Sequence, residues 1–200
     1  MIQIQIWGDF ECPFSYLQTL VLLKLKAKYS EKIEIIWRAF ELNPSKQSLS
    51  PTAEYLENLK IASQEHIVEE AHLKLLSPQY LTNIRLAQES VYFASVQGLS
   101  LRMATAIFDA FFNQGLDIST QEVILDIAQR LGLASDQLAK ALTEGTFTKA
   151  VRQDEQEFKT YGFPGVPAIL VGEKDFSPRS FIPLTGYKTF EELDQIITKG

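Results

Sequence analysis

The sequence predicts an α/β fold in which one mixed sheet is assembled from both ends of the chain, with a block of helices inserted between them. Strand-type alternation of apolar and polar residues occurs near both ends of the 200-residue chain, and helical spacing fills the stretch between. Neither end carries enough strands to form a stable sheet alone. One sheet shared by the two ends is the simplest arrangement that buries every apolar face.

The composition and net charge of the chain argue against several classes of protein. Hydrophobic residues make up 46% of the chain and charged residues 22%, which argues against a mainly disordered or fibrous protein. The net charge of -6 argues against nucleic acid as a partner. No apolar run approaches the ~20 residues that span a bilayer, and the first residues alternate like a strand instead of forming a secretory signal. We therefore expect a cytoplasmic protein without a membrane partner.

The first predicted elements are a strand, a helix and a second strand. Alternation predicts strands over Ile2–Gly8 and Ile33–Ala39. A helix rich in Leu and Lys lies between them, from about residue 13 to residue 29. Pro13 occupies the first helical position, where proline is favoured, and this places Cys12 at the N-cap.

The middle of the chain, from residue 50 to about residue 161, is predicted to form five or six helices. Two of their starts are predicted from capping patterns. Ser77-Pro78 is typical of an N-cap followed by a proline at the first helical position, and Ser119 with Glu122 is typical of a capping box.

The last forty residues return to strands. A short apolar strand is predicted over 168–171, and Phe181–Leu184 is its candidate partner. Thr189 and Glu192 form another capping-box pattern, which predicts a final helix.

The chain has one cysteine, which excludes an internal disulfide and a cysteine-rich zinc site. Cys12 falls at a strand-to-helix junction, where the free N–H groups and the positive end of the helix dipole stabilise a thiolate. We therefore predict that the pKa of Cys12 lies below the free-cysteine value of about 8.5. Ser15, one turn on, is placed to donate a hydrogen bond to the sulfur. The alternative is that Cys12 is a small buried apolar residue.

The segment Cys12-Pro13-Phe14-Ser15 resembles the active-site C-x-x-C of thioredoxin-fold oxidoreductases, with serine in place of the second cysteine. Residues 9–17 are similar to the opening motif of the DsbA family, especially its FrnE-like branch. They also resemble kappa-class glutathione transferases and 2-hydroxychromene-2-carboxylate isomerases, in which the motif typically reads S-P-Y-S. Gly165-Val166-Pro167, before an apolar strand, resembles the cis-proline loop of the family. The resemblance covers essentially the whole chain.

This resemblance implies an α/β, thioredoxin-like fold with a large all-helical insertion. The thioredoxin-like domain would be discontinuous, formed by residues 1–49 and 163–200, and residues 50–162 would form the inserted helical domain. Catalytic roles are implied for Cys12 and Ser15. Residues implied to form the motif and to bind substrate or glutathione are Pro13, Phe14, Val166 and Pro167. The Val166–Pro167 bond is expected to be cis.

Three functions stay open. In the first, Cys12 acts as a single thiol on a disulfide or glutathionylated substrate, and an external thiol such as glutathione releases Cys12 from the mixed disulfide. Alternatively, the protein is a glutathione-dependent isomerase or transferase of a small electrophile. In the third reading it is a non-catalytic redox sensor or peptide-binding protein. Cysteine at position 12 favours the first function. Tyr187-Lys188 stand where glutathione-using relatives usually carry a Ser-Asp-type pair, which weakens the case for that mode of glutathione binding.

Accordingly, the expected partners are glutathione, a peptide or a small electrophile, and the chain is expected to be a monomer or a homodimer. We expect no tightly bound cofactor, with glutathione as the candidate cosubstrate. We also expect no metal. His66 and His72 share a predicted helix with several glutamates, and a solvated charged face is the simpler interpretation. The acidic stretch 154–157 is likewise expected to be solvated helix surface.

Overall fold

In a computed structural model the chain is described at residues 1–45, 47–66, 73 and 75–199. The strands are β1 (Ile2–Gly8), β2 (Ile33–Ala39), β3 (Ala168–Glu173) and β4 (Ile182–Thr185). The helices are α1 (Pro13–Tyr29), α2 (Ala53–His66), α3 (Arg85–Ser95), α4 (Ser100–Phe112), α5 (Gln121–Arg130), α6 (Ser135–Glu144), α7 (Thr148–Tyr161) and α8 (Phe190–Lys199). No helix among the described residues is long and apolar enough to cross a bilayer.

The strands form one mixed sheet in the order β2-β1-β3-β4. β1 pairs in parallel with β2, with Ile2 opposite Ile33, and antiparallel with β3, with Trp7 opposite Ala168. β4 extends the sheet antiparallel to β3. The predicted sheet built from both ends of the chain is therefore confirmed, and the sequence predicted the bounds of β1, α1 and β2.

The predicted helix start at Ser77-Pro78 is wrong. Residues 75–84 contain no helix, and α3 begins only at Arg85. The backbone groups of this segment have partners outside it: Leu81 pairs with Leu49 through two hydrogen bonds of 2.8 Å. The N–H of Thr82 donates to the Glu11 carboxylate at 2.6 Å. The N–H groups of Leu81 and Thr82 are therefore committed to partners outside the segment and do not form helical bonds.

Of the two predicted capping boxes, one is wrong and one is confirmed. The Ser119 hydroxyl donates to Asp117 at 2.6 Å instead of capping α5, which starts at Gln121. At α8, Thr189 N–H donates to Glu192 Oε2 at 2.7 Å, and Glu192 N–H donates to Thr189 Oγ1 at 3.2 Å.

Aromatic side chains join the sheet to the inserted helices. Phe10 stacks on Trp37 of β2, with ring centroids 5.1 Å apart. Tyr16 stacks on Phe108 at 5.2 Å and on Phe112 at 5.7 Å, both in α4. One buried apolar cluster thus contains residues from both parts of the chain. The division into domains at residues 49–50 and 162–163 stays a prediction.

The start of the acidic stretch 154–157 is buried, so the expectation of a solvated surface is wrong for Asp154. This carboxylate, on α7, accepts hydrogen bonds of 2.8 Å from the N–H of Ala39 and from Arg38 Nη1. The hydroxyl of Tyr92, on α3, also donates to it. Asp154 therefore fastens two inserted helices to the end of β2.

Gly8, the last residue of β1, lies where no side chain fits. A Cβ built on Gly8 would lie 2.4 Å from Cη2 of Trp37, whose indole N–H is held by Gln88 at 2.9 Å. A Cβ on Gly165, in the loop before β3, would meet no atom within 4 Å, and Gly165 does not have positive φ.

We predict that Gly8→Ala lowers the free energy of unfolding by about 2–3 kcal/mol, because the buried ring of Trp37 has to move. Gly165→Ala, the same chemical change in open space, is expected to alter it by less than about 0.5 kcal/mol. Urea denaturation followed by tryptophan fluorescence measures both. Equal stabilities of the two variants would contradict the packing argument.

Candidate thiol site

A tight turn carries Cys12 from the end of β1 to the start of α1. The Cys12 N–H donates to the Asp9 carbonyl at 3.1 Å, and the Cys12 carbonyl accepts from Tyr16 N–H at 3.2 Å. Cys12 is the N-cap of α1 and Pro13 is the first helical residue, as the sequence predicts. The sulfur is therefore fixed at the N-terminus of a 17-residue helix.

The loop before β3 lies against this sulfur. The Val166–Pro167 peptide bond is cis, as predicted. The Cys12 thiol donates to the Val166 carbonyl oxygen, with Sγ 3.6 Å from it. Antiparallel pairing of β1 with β3 sets Ala168 opposite Trp7, so the loop reaches the turn that follows β1. The fold thus brings together two motifs that lie 154 residues apart.

Cys12 is only 7% exposed, and this decides its ionisation. Burial raises the pKa of the Cys12 thiol to about 11, and the neighbouring Asp9 charge acts in the same direction. The hydroxyl and N–H of Ser15 and the N–H of Phe14 lower the pKa, but by less. The prediction of a lowered pKa is therefore wrong, because desolvation of the thiolate outweighs the helix N-terminus.

The other predicted site residues lie around the sulfur. Ser15 is fully buried and lowers the pKa of Cys12, yet its hydroxyl has no conventional hydrogen bond within the described part of the chain. Pro13 and Pro167 are buried, and half-buried Phe14 packs against the apolar core. The residues are brought together as predicted, and their roles in catalysis or binding stay predictions.

Two buried carboxyl groups in the turn before Cys12 were not predicted as part of the site. Asp9 is fully buried, and its two carboxylate oxygens accept from the N–H groups of Glu11 at 2.7 Å and Leu42 at 2.6 Å. Burial raises the pKa of Asp9 to about 7. The carboxyl group therefore titrates near neutral pH, inside the turn that holds the thiol.

Glu11 is the second of these groups and is 3% exposed. Burial, followed by the charge of Asp9, raises the pKa of Glu11 to about 8. Its backbone carbonyl accepts from the hydroxyl of Tyr55 at 2.9 Å, and burial raises the pKa of Tyr55 as well. The signal that could have found this cluster is the presence of two acids within three residues of the cysteine.

No group of three or more His, Cys, Asp or Glu side chains is arranged to hold a metal ion in the portion of the chain that the structure describes. His72 lies outside the described residues, so the expectation about the His66 and His72 pair stays a prediction.

Comparison with known proteins identifies the class of protein to which this fold and thiol site belong. The chain matches the family of DSBA-like thioredoxin domains over residues 3–197, and it belongs to that family. A Bacillus subtilis protein, YwbO, is 25% identical over 184 residues, which cover 86% of this chain and 88% of YwbO.

Three solved structures are similar over almost the whole chain. A probable DsbA oxidoreductase from Streptomyces coelicolor has a TM-score of 0.81 and 19% identity, covering 100% of this chain and 89% of that one. A 2-hydroxychromene-2-carboxylate isomerase has a TM-score of 0.73 and 18% identity, covering 98% and 93%. The cytosolic disulfide reductase DsbM from Pseudomonas aeruginosa, solved with glutathione, has a TM-score of 0.67 and 15% identity, covering 91% and 89%. At these identities the likeness is one of fold.

We predict that Asp9→Asn speeds alkylation of Cys12 by roughly three- to tenfold at pH 8–9, half to one pKa unit. The Asp9 carboxyl has a pKa of about 7, so above that pH its charge opposes a thiolate, and the amide removes this charge. Below pH 6 the wild-type group is protonated, and the two rates should converge. Iodoacetamide labelling against pH, followed by intact mass, measures the effect.

The matched control for this prediction is Asp126→Asn, which removes an exposed carboxylate on α5. It should leave the alkylation profile unchanged. A wild-type midpoint near 8.5 would contradict the raised pKa of Cys12, and an Asp9→Asn rate equal to that of wild type at pH 9 would contradict the role of the Asp9 charge.

Proposed function

We propose that this protein is a thiol–disulfide oxidoreductase of the DsbA family, in its FrnE-like branch, that works through Cys12 alone and uses glutathione as an external thiol. One observation carries the proposal. The sulfur of Cys12 lies at the N-terminus of α1, 3.6 Å from the carbonyl oxygen before a cis-proline, and the chain has no second cysteine. An extended substrate that pairs with the backbone of Val166 would have its own sulfur beside Cys12.

The reaction has two exchanges. The Cys12 thiol loses its proton and attacks a glutathionylated substrate, so that a Cys12–glutathione disulfide forms and the substrate leaves as a thiol. Glutathione then attacks this mixed disulfide, oxidised glutathione leaves, and the Cys12 thiolate takes back a proton. The net reaction converts a mixed disulfide and one glutathione into a protein thiol and oxidised glutathione. Ser15 stands where a resolving cysteine would be, which is why the second thiol has to come from outside.

The raised pKa of Cys12 determines the conditions under which the first exchange is fast. With a pKa of about 11, the free site holds the sulfur almost entirely as a thiol at neutral pH. Because the thiolate is the nucleophile, attack depends on a substrate that changes the surroundings of Cys12. A substrate that occupies the backbone of Val166 competes with the Cys12 thiol for the carbonyl oxygen. We propose that substrate binding releases the sulfur in this way.

Membership of the family supports thiol chemistry, and the cytosolic reductase DsbM, solved with glutathione, has the same fold. A compartment that supplies reduced glutathione suits a protein with one unpaired cysteine, and we therefore place the activity in the cytoplasm. Oligomeric state does not enter the proposed reaction, and both a monomer and a homodimer are compatible with it.

Two other functions each have an observation in their favour. The fold matches that of a 2-hydroxychromene-2-carboxylate isomerase, and the buried hydroxyl of Ser15 lies beside the sulfur, as a glutathione-dependent isomerase or transferase would need. The burial of Cys12 favours a peptide-binding protein, in which the thiol takes no part in turnover, over a redox sensor, whose thiol has to be accessible.

Turnover of a glutathionylated peptide in the presence of glutathione tests the proposal. We predict that Cys12→Ser lowers the rate at least about a hundredfold, because no other sulfur can accept the glutathione. Intact mass of the wild-type protein should show one glutathione on Cys12 after treatment with oxidised glutathione. Ser15→Cys supplies a resolving thiol, and we expect it to reduce insulin with less dependence on glutathione.

The same variants separate the alternatives. Isomerisation of 2-hydroxychromene-2-carboxylate that needs glutathione and survives in Cys12→Ser would support the isomerase. Peptide binding that is equal in wild type and Cys12→Ser, with no turnover in either, would support the binding protein. Absence of a glutathione adduct after long incubation at pH 8 would contradict the single-thiol reaction.

A further inference from the structure

The side chain of Gln18 binds the loop that follows β4. Gln18 lies on α1, two turns after Cys12, and is fully buried. Its Oε1 accepts a hydrogen bond of 2.7 Å from the backbone N–H of Lys188. The bond joins residues 170 positions apart, and it ties this loop to the helix that carries the thiol.

The same loop also holds the cis-proline. The N–H of Gly186 donates to the Pro167 carbonyl at 2.9 Å, next to the pairing of Thr185 with Ala168 at the end of β4. Val166, in turn, offers its carbonyl oxygen to Cys12 Sγ at 3.6 Å. A closed circuit of contacts therefore runs from Cys12 along α1 to Gln18, across to the loop, on to Pro167, and back to the sulfur.

Nothing else in the contacts of Gln18 accounts for an amide at this position. Its Nε2 is buried and has no hydrogen-bond partner among the described residues. A buried donor without a partner destabilises the folded protein, so packing alone would favour an apolar side chain such as methionine. Among the described residues, the hydrogen bond that the Gln18 side chain does make is the one to Lys188, and we look there for the role of the amide.

We propose that Gln18 is a positioning residue for the thiol site: its bond to Lys188 fixes the loop after β4, and through Pro167 it holds the Val166 carbonyl against the sulfur of Cys12. The inference rests on the proposed thiol chemistry only for its use in catalysis. The positioning itself is a property of the unreacted protein and is measured without turnover.

The direction of the effect follows from the geometry. The Val166 carbonyl accepts from the thiol, and a carbonyl oxygen beside the sulfur disfavours the thiolate. When the loop is released, this oxygen withdraws and water reaches Cys12, so the thiolate forms more readily. Loss of the Gln18 bond is therefore expected to make Cys12 more reactive toward a small alkylating agent, and to weaken binding of a substrate that needs Val166 in place.

Alkylation by iodoacetamide from pH 7 to pH 10 tests the inference. Gln18→Met keeps the length of the side chain and removes the acceptor, and we expect alkylation at pH 8 to be at least about threefold faster than in wild type. Gln18→Glu keeps an oxygen acceptor for Lys188 N–H, and any charge it adds opposes the thiolate, so its rate should equal or fall below that of wild type. Faster alkylation in both variants, or in neither, would overturn the inference.

Thr19→Val is the matched control for general loosening of α1. It removes another buried hydrogen bond from the same helix, the bond of 2.8 Å from Thr19 Oγ1 to the Ser15 carbonyl, without touching the loop. Its alkylation profile should follow that of wild type, and an acceleration equal to that of Gln18→Met would also overturn the inference.

If Gln18→Met does not fold, Lys188→Pro removes the same bond from the donor side and should give the same acceleration. A wild-type alkylation rate in Lys188→Pro would count against the proposal. The two proposals fail separately: an alkylation profile of Gln18→Met equal to that of wild type overturns this inference, whereas failure of the wild-type protein to turn over a glutathionylated peptide overturns the proposed function.

Discussion

β1 is hydrogen-bonded on both edges, and the rest of the structure depends on this double pairing. One partner is β2, the next strand in the chain, and the other is β3, which comes from the opposite end of the chain. The parallel partner holds the aromatic core that joins the sheet to the inserted helices. The antiparallel partner sets the cis-proline loop beside the turn that follows β1. A shift of one residue in either register would turn core side chains outward, and a shift between β1 and β3 would also separate Cys12 from Val166. Packing of the core and assembly of the site therefore depend on the same pairing.

Two effects oppose each other at the sulfur, and their sizes decide which one prevails. The end of a helix stabilises a nearby charge by about 0.3–1 kcal/mol in ordinary surroundings. Removing a charge from water costs several kcal/mol, even after the protein relaxes. The thiolate of Cys12 would be stabilised by the helix end but destabilised by desolvation, because Cys12 is buried and lies beside Asp9, itself a buried acid. The site is therefore one in which the fold suppresses ionisation of the thiol.

The features that the sequence predicted depend on residues close together in the chain, whereas the features that it missed depend on contacts between residues far apart in the chain. The first three elements and the cis-proline follow from local patterns and from a motif, and the structure confirms them. The burial of Asp9 depends on the N–H of Leu42, 33 residues away, and the irregular segment at Thr82 depends on Glu11, 71 residues away. Asp154 is buried because its carboxylate accepts a hydrogen bond from the N–H of Ala39 at the end of β2, 115 residues earlier in the chain. No local pattern encodes such contacts, so acids with these roles look like ordinary turn or surface residues.

Enclosure of the thiol has a further consequence for the lifetime of the protein. Peroxides attack thiolates that they can reach, and repeated attack gives sulfinic and sulfonic acids that are in general not repaired. Cys12 is buried and held in its protonated form, so both conditions for such damage are absent in the resting protein. The arrangement that makes the sulfur a slow nucleophile also keeps it intact during oxidative stress. Because the chain has one cysteine, no second thiol could take its place.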